Sequence, residues 1–159
     1  CARPIAGPPG SLRHARTPAM SEAFDGGCLC GAVRFRASGA PLALSRCHCR
    51  SCRLAAGSAG VAWAIFKRAD FALTKGGLVH YRSSTDAVRT FCGTCGTSIS
   101  YEPADSPENI EVTSSTFDQP NRFAPTREVW VSHRLPWEQL DGTLPQFPNG
   151  SPEHAKREA

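Results

Sequence analysis

The sequence predicts one mainly β domain, built largely of antiparallel strands with few short helices. Three observations point there. Apolar residues alternate with polar ones along short runs, the period of a half-buried strand. Fourteen glycines and thirteen prolines in 159 residues interrupt the chain too often for long helices. Eight cysteines stand against a single methionine, and seven of them fall in three tight groups. The length suits a single domain. A composition that is 40% hydrophobic and 20% charged excludes a disordered chain or a collagen. No run approaches the ~18 consecutive apolar residues of a membrane-crossing helix.

Taken in order, residues 1–21 form a basic extension. Arg3, Arg13 and Arg16 occur there without an acidic residue, and Pro4, Pro8, Pro9 and Pro18 break every period. The segment lacks the apolar core of ~7–15 residues of a secretory signal, and it is too proline-rich for an amphipathic transit helix. It is expected to be disordered, with Met20 at the change of composition marking a start, and the protein is expected to be cytoplasmic. The folded domain is placed at residues 22–148. Val33, Phe35 and Ala37 alternate with Arg34 and Arg36, and Val61, Trp63 and Ile65 repeat the pattern within 59–66. Further strands are expected at 78–82, 88–91, 99–101, 110–113 and 129–132. Gly76, Gly77, Gly93 and Gly96 supply turns. Helix is expected only as one short turn after Cys52 and another at 137–140. Residues 149–159 read as a frayed polar tail.

The cysteines carry the chemistry. Cys28 and Cys30 form C-x-C, Cys47, Cys49 and Cys52 form C-x-C-x-x-C, and Cys92 and Cys95 form C-x-x-C, while Cys1 stands alone. A disulfide framework spreads its cysteines along a small secreted chain, whereas cysteines two or three apart suit ligation of one metal ion. A redox pair is the other reading of a lone C-x-x-C, and it weakens beside five more clustered thiols. Tetrahedral zinc takes four ligands, so seven divide as four plus three. The C-x-C-x-x-C span is too short to serve two ions, so it holds one by itself. The two distant pairs share the other. Two zinc ions per chain follow: a structural one at Cys28, Cys30, Cys92 and Cys95, and an open, catalytic-type one at Cys47, Cys49 and Cys52. Iron suits four thiolates as well.

His48 lies between two ligands. Adjacent side chains of an extended segment point to opposite faces. Fourth ligand, support for the site or contact with its substrate, and packed or solvated histidine all stay open. Arg46, Arg50 and Arg53 frame the same group, either as solvated charge or as cations that offset thiolate charge and attract an anionic thiol substrate. The net charge of +4 says little about partners, because three basic residues sit in the extension and none of the fourteen acidic ones does. No basic stripe alternates with aromatics, which argues against nucleic acid.

The order C-x-C-G, C-H-C-x-x-C, F-C-x-x-C-G resembles the glutathione-dependent formaldehyde-activating enzyme family, which includes centromere-protein-V-like proteins. The similarity covers about residues 24–148. It is carried by Gly26-Gly27-Cys28-Leu29-Cys30-Gly31, by Cys47-His48-Cys49-Arg50-Ser51-Cys52-Arg53 with Gly57, and by Phe91-Cys92-Gly93-Thr94-Cys95-Gly96. Gly77-Leu78-Val79-His80-Tyr81, Thr116-Phe117-Asp118 and Leu135-Pro136-Trp137 also fit. The resemblance implies a β-tent zinc-binding fold, a structural zinc at the four-cysteine set and a more labile one at the three-cysteine set. It implies a carbon–sulfur lyase-type activity that joins glutathione and formaldehyde into S-hydroxymethylglutathione, as in formaldehyde detoxification. Thr116 and Asp118 belong near the pocket by that resemblance, although Asp118 before Pro120 equally suits a turn. Two rivals are a non-catalytic zinc module that binds a protein or nucleic-acid partner, and a methionine sulfoxide reductase. The second needs a nucleophilic cysteine late in the chain, and none follows Cys95.

Overall fold

The computed structural model describes residues 22–151, so the extension at 1–21 and residues 152–159 lie outside the described residues. Two sheets make up the domain. The smaller is antiparallel and runs β1 (Ala23–Gly27), β2 (Arg34–Ser38), β5 (Phe71–Lys75). The larger has eight strands in the order β11-β10-β3-β4-β9-β8-β7-β6. These are β3 (Ala43–Cys47), β4 (Val61–Lys67), β6 (Val79–Ser84), β7 (Ala87–Phe91), β8 (Ser98–Pro103), β9 (Asn109–Thr113), β10 (Glu128–Val129) and β11 (Gln146–Phe147). Its pairings are antiparallel except those of β10 with β3 and with β11. One α-helix, α1 (Arg50–Ala56), follows β3.

The core lies between the sheets. Phe35 and Ala37 of β2 are fully buried, while Arg34 and Arg36 turn outward to bond Asp118 and Asp25. Phe24, Phe35, Phe66, Phe117 and Phe123 form the aromatic centre, with Phe117 and Phe123 stacked at 4.0 Å. Gly26 pairs with Phe117 in an isolated bridge. A side chain there would begin 2.3 Å from the ring of Phe35 and 2.7 Å from the carbonyl oxygen of Thr116, so only glycine lets the strand approach.

The large sheet has two different faces. In register across it, Leu44 of β3, Ala64 of β4 and Val112 of β9 face the phenylalanine core. On the other face, one row runs Ala43, Ile65, Glu111, Tyr101, Arg89 through β3, β4, β9, β8 and β7. The alternation within 59–66 marks Val61, Trp63 and Ile65 as one apolar face, of which Val61 and Trp63 are buried and Ile65 is half-buried. Ala64 and Phe66 are buried as well, and the double burial matches an almost uninterrupted apolar run.

The expected strands appear with shifted ends, and three corrections follow. β1, β3, β5 and β11 escaped the sequence reading: β1 ends in two glycines, β3 carries Ser45 and Arg46, β5 is an exposed edge, and β11 is two residues long. The strand expected at 129–132 stops at Val129, because Trp130 adopts φ 58°, outside extended backbone, and a 3-10 turn Val131–His133 follows. No helix forms at 137–140, where Pro136 and Trp137 make a turn, and the helix near Cys52 begins earlier, at Arg50. Of the tail at 149–159, Asn149 is tied down: its carbonyl accepts from the Trp130 N–H at 2.8 Å.

Candidate metal centres and an adjoining cavity

Two cysteine clusters form, and their membership is four and three. Cys28 and Cys30 lie in the β1–β2 turn, and Cys92 and Cys95 in the β7–β8 turn. All four sulfurs fall within 4.8 Å of one another. Two separations are 3.5 Å (Cys28–Cys30) and 3.8 Å (Cys30–Cys92). A tetrahedral ion with metal–sulfur bonds of ~2.3 Å sets its sulfurs about 3.8 Å apart, so the set fits. Gly96, at φ 75°, closes the second turn and donates its N–H to the Cys92 carbonyl. The Val33 N–H donates to the Cys28 sulfur at 3.2 Å. Leu29 donates its N–H to the Thr97 hydroxyl oxygen, leaving the Thr97 O–H to donate to the Cys95 sulfur at 3.2 Å. That hydroxyl, with backbone N–H groups, holds the Cys95 thiol down at about 5, favouring the thiolate a metal needs.

The second cluster comprises Cys47 at the end of β3, Cys49 and Cys52, again within 4.8 Å. Cys49 caps α1, and its sulfur accepts the Cys52 N–H at 3.4 Å. Hydrogen bonds from the Cys47 and Cys52 thiols hold Cys49 low, while the same contacts and burial push Cys47 up. One sulfur thus tends to negative charge while a neighbour keeps its proton, an arrangement that a thiophilic cation would displace. None of the seven cysteines is in a disulfide. Both donor sets are soft and compact, and both are compatible with zinc.

The three sulfurs open onto a cavity of about 690 Å³. Its floor is the outer face of the large sheet: Ser45, Trp63, Ile65, Glu111, Tyr101 and Arg89. The Arg89 guanidinium lies 4.7 Å over the Tyr101 ring and donates to the Cys52 sulfur at 3.6 Å. Glu111 lies on the same cavity-facing row and makes no side-chain hydrogen bond among the described residues. Burial pushes its carboxyl up to about 7, against the lowering effect of the Arg89 cation. Trp130, Arg127, His133 and Asn149 also line the cavity.

The residues next to the cysteines in sequence are placed differently from one another. His48 is fully buried, outside the cavity lining, with Nε2 2.6 Å from Glu128. Its backbone N–H donates to the Val129 carbonyl, so this contact fixes the segment between Cys47 and Cys49 from behind. Arg46 pairs with Glu138 and approaches Glu128 at 3.9 Å, also outside the lining. Arg53 donates to the His48 carbonyl at 3.3 Å. Arg50 lines the cavity. Thr116 donates its hydroxyl to the Thr113 carbonyl, and Asp118 pairs with Arg34, so neither lines it. Arg89, Tyr101, Glu111 and Glu128 were not singled out from sequence. A charged residue at alternate positions of a strand ordinarily faces water, and nothing in Val88-Arg89-Thr90 or Ile110-Glu111-Val112 says that this face is a cavity.

Residues 23–133 match the family model described as "glutathione-dependent formaldehyde-activating enzyme". A putative glutathione-dependent formaldehyde-activating enzyme of Halomonas elongata is 30% identical over 128 residues, covering 74% of this chain and 81% of that protein. An uncharacterized lyase of Schizosaccharomyces pombe is 33% identical over 76 residues, 48% of this chain and 55% of that protein. A crystal structure of a Rhodobacter sphaeroides protein shares the fold with a TM-score of 0.52 at 23% identity, covering 77% of this chain and 99% of its own.

Proposed function

We propose that this chain, which belongs to the glutathione-dependent formaldehyde-activating enzyme family, catalyses reversible addition of a small thiol to an aldehyde. Glutathione and formaldehyde, giving S-hydroxymethylglutathione, are the pair that the family's description suggests. Run backwards, the reaction breaks a carbon–sulfur bond, a lyase step. One observation carries the reading: three unpaired thiols, Cys47, Cys49 and Cys52, converge on a cavity of about 690 Å³. That size suits a small-molecule ligand, and three ligands leave one position of a tetrahedral ion for it.

In this reading the four-cysteine set holds a structural zinc, and the three-cysteine set holds the zinc of the reaction. An ion at the three sulfurs supplies a Lewis acid that lowers the pKa of a substrate thiol. The rest falls to the chain. Trp63, Tyr101 and Trp130 wall the cavity and limit water. The thiolate sulfur gives its electron pair to the aldehyde carbon. The carbonyl π pair moves to oxygen, which takes a proton from the Glu111 carboxyl, and the proton lost by the thiol restores Glu111. A carboxyl held near about 7 can both give and take at neutral pH. Seven free thiols suit a reducing cytoplasm.

The test is metal analysis with glutathione titration, alongside magnetisation-exchange NMR of adduct formation. Two zinc ions per chain, one perturbed by glutathione, with faster exchange between formaldehyde and adduct, is the expected result. Two undisturbed ions, no thiol affinity and unchanged exchange would instead identify a non-catalytic zinc module.

A further inference from the structure

The most unusual charge in the cavity is Arg89. It is only 7% exposed, yet no acidic side chain among the described residues pairs with it. One arm of its fork, NH2, donates to the Cys52 sulfur, and its plane rests over Tyr101. The other arm, NH1, is buried and has no hydrogen-bond partner among the described residues. Leaving such a group unsatisfied costs more than a typical hydrogen bond returns, so an acceptor is called for. Glu111 does not fill that role: it stands two strands away in the same row, beyond Tyr101, without a side-chain hydrogen bond among the described residues. The lining as a whole leans positive, with Arg50, Arg89 and Arg127 against Glu111.

We propose that Arg89 is the carboxylate anchor of the thiol site: its free NH1 arm, held beside the Cys52 sulfur, selects thiols that carry a carboxylate near the sulfur. This rests on the thiol-binding reading above and adds the substrate class. The geometry sets the selection. The arm on Cys52 fixes the guanidinium, so the free arm is presented a fixed distance from the three-sulfur centre, and a ligand meets it only if its anion and its sulfur are close together. Arginine suits this better than lysine, because its planar fork holds two acceptors at once without reorienting.

The test uses zinc-loaded full-length protein and a matched pair of ligands, 3-mercaptopropionate and its methyl ester, titrated calorimetrically. Wild-type protein is expected to bind the carboxylate at least about tenfold more tightly than the ester, the ratio a charged hydrogen bond supplies. In Arg89→Gln, compared at equal zinc content, the affinities for the carboxylate and the ester should converge. Arg89→Lys should keep part of the preference and covers the case in which the glutamine variant loses zinc. Wild-type protein without the preference, or an Arg89→Gln variant that retains it, overturns the anchor while leaving the thiol reading intact. Wild-type protein that binds neither ligand overturns both.

Discussion

Glu111 shows how one side chain on a sheet face acquires a chemical role from its surroundings. Its strand neighbours Ile110 and Val112 are fully buried in the core, and its carboxyl faces the cavity. The folded protein holds the Glu111 proton more tightly than an ordinary carboxyl near 4.5, with release near about 7. The stability this group contributes is therefore full below about pH 4.5 and is lost as pH rises through about 7. Glu111→Gln, which cannot ionise, should remove that loss. Thermal melts from pH 4.5 to 8 should find the variant gaining a few degrees on wild type across the window, and parallel curves would show that burial does not govern the group. Single residues were the least legible level in the sequence. The cysteines announced themselves by spacing, because C-x-C and C-x-x-C each deliver two ligands to one ion from a single turn. Arg46, Arg50 and Arg53 drew attention by the same closeness, and yet the guanidinium on the Cys52 sulfur comes from Arg89, four strands further along in sequence. Charge can be delivered to a site from any strand of a sheet, and sequence proximity carries no information about which one.

Among the elements, those legible in advance were the strands with a run of alternating apolar residues, the exposed β6 included. β2, β4, β7, β8 and β9 show apolar periodicity because burial imposes it. The strands that were missed owe their place to tertiary contacts instead. β1 is held by pairing with β2 and by the approach of its Gly26 to Phe35 and Thr116. β3 is held between β4 and β10. Gly26→Ala tests this account of β1: with a side chain starting 2.3 Å from a fully buried ring, either the strand or Phe35 must shift. Urea unfolding is expected to show a loss of about 1–3 kcal/mol, the usual range for overpacking. Gly31→Ala makes a useful comparison, since no atom lies within 4 Å of its added carbon and only its φ of 71° opposes the change.

For the whole molecule, the two clusters stand in different relations to the fold. The four-cysteine set joins the β1–β2 turn of the small sheet to the β7–β8 turn of the large one, so a metal there ties the sheets together. The three-cysteine set is confined to the end of β3 and the start of α1. Cys92→Ser or Cys95→Ser should therefore abolish the cooperative unfolding transition and the near-UV circular dichroism. Cys47→Ser, Cys49→Ser or Cys52→Ser should lower zinc from two ions to one with the fold retained. A folded Cys92→Ser protein would contradict this division. The two-faced large sheet has a consequence of another kind. In β3, β4 and β9 the pleat assigns even-numbered Leu44, Ala64, Phe66 and Val112 to the core and odd-numbered Ala43, Ser45, Ile65 and Glu111 to the cavity. The same strands thus carry two interleaved records, one that keeps the protein folded and one that decides which molecule it accepts. Variation can rewrite the second without disturbing the first, so a library restricted to those odd positions would explore new ligands on an unchanged scaffold.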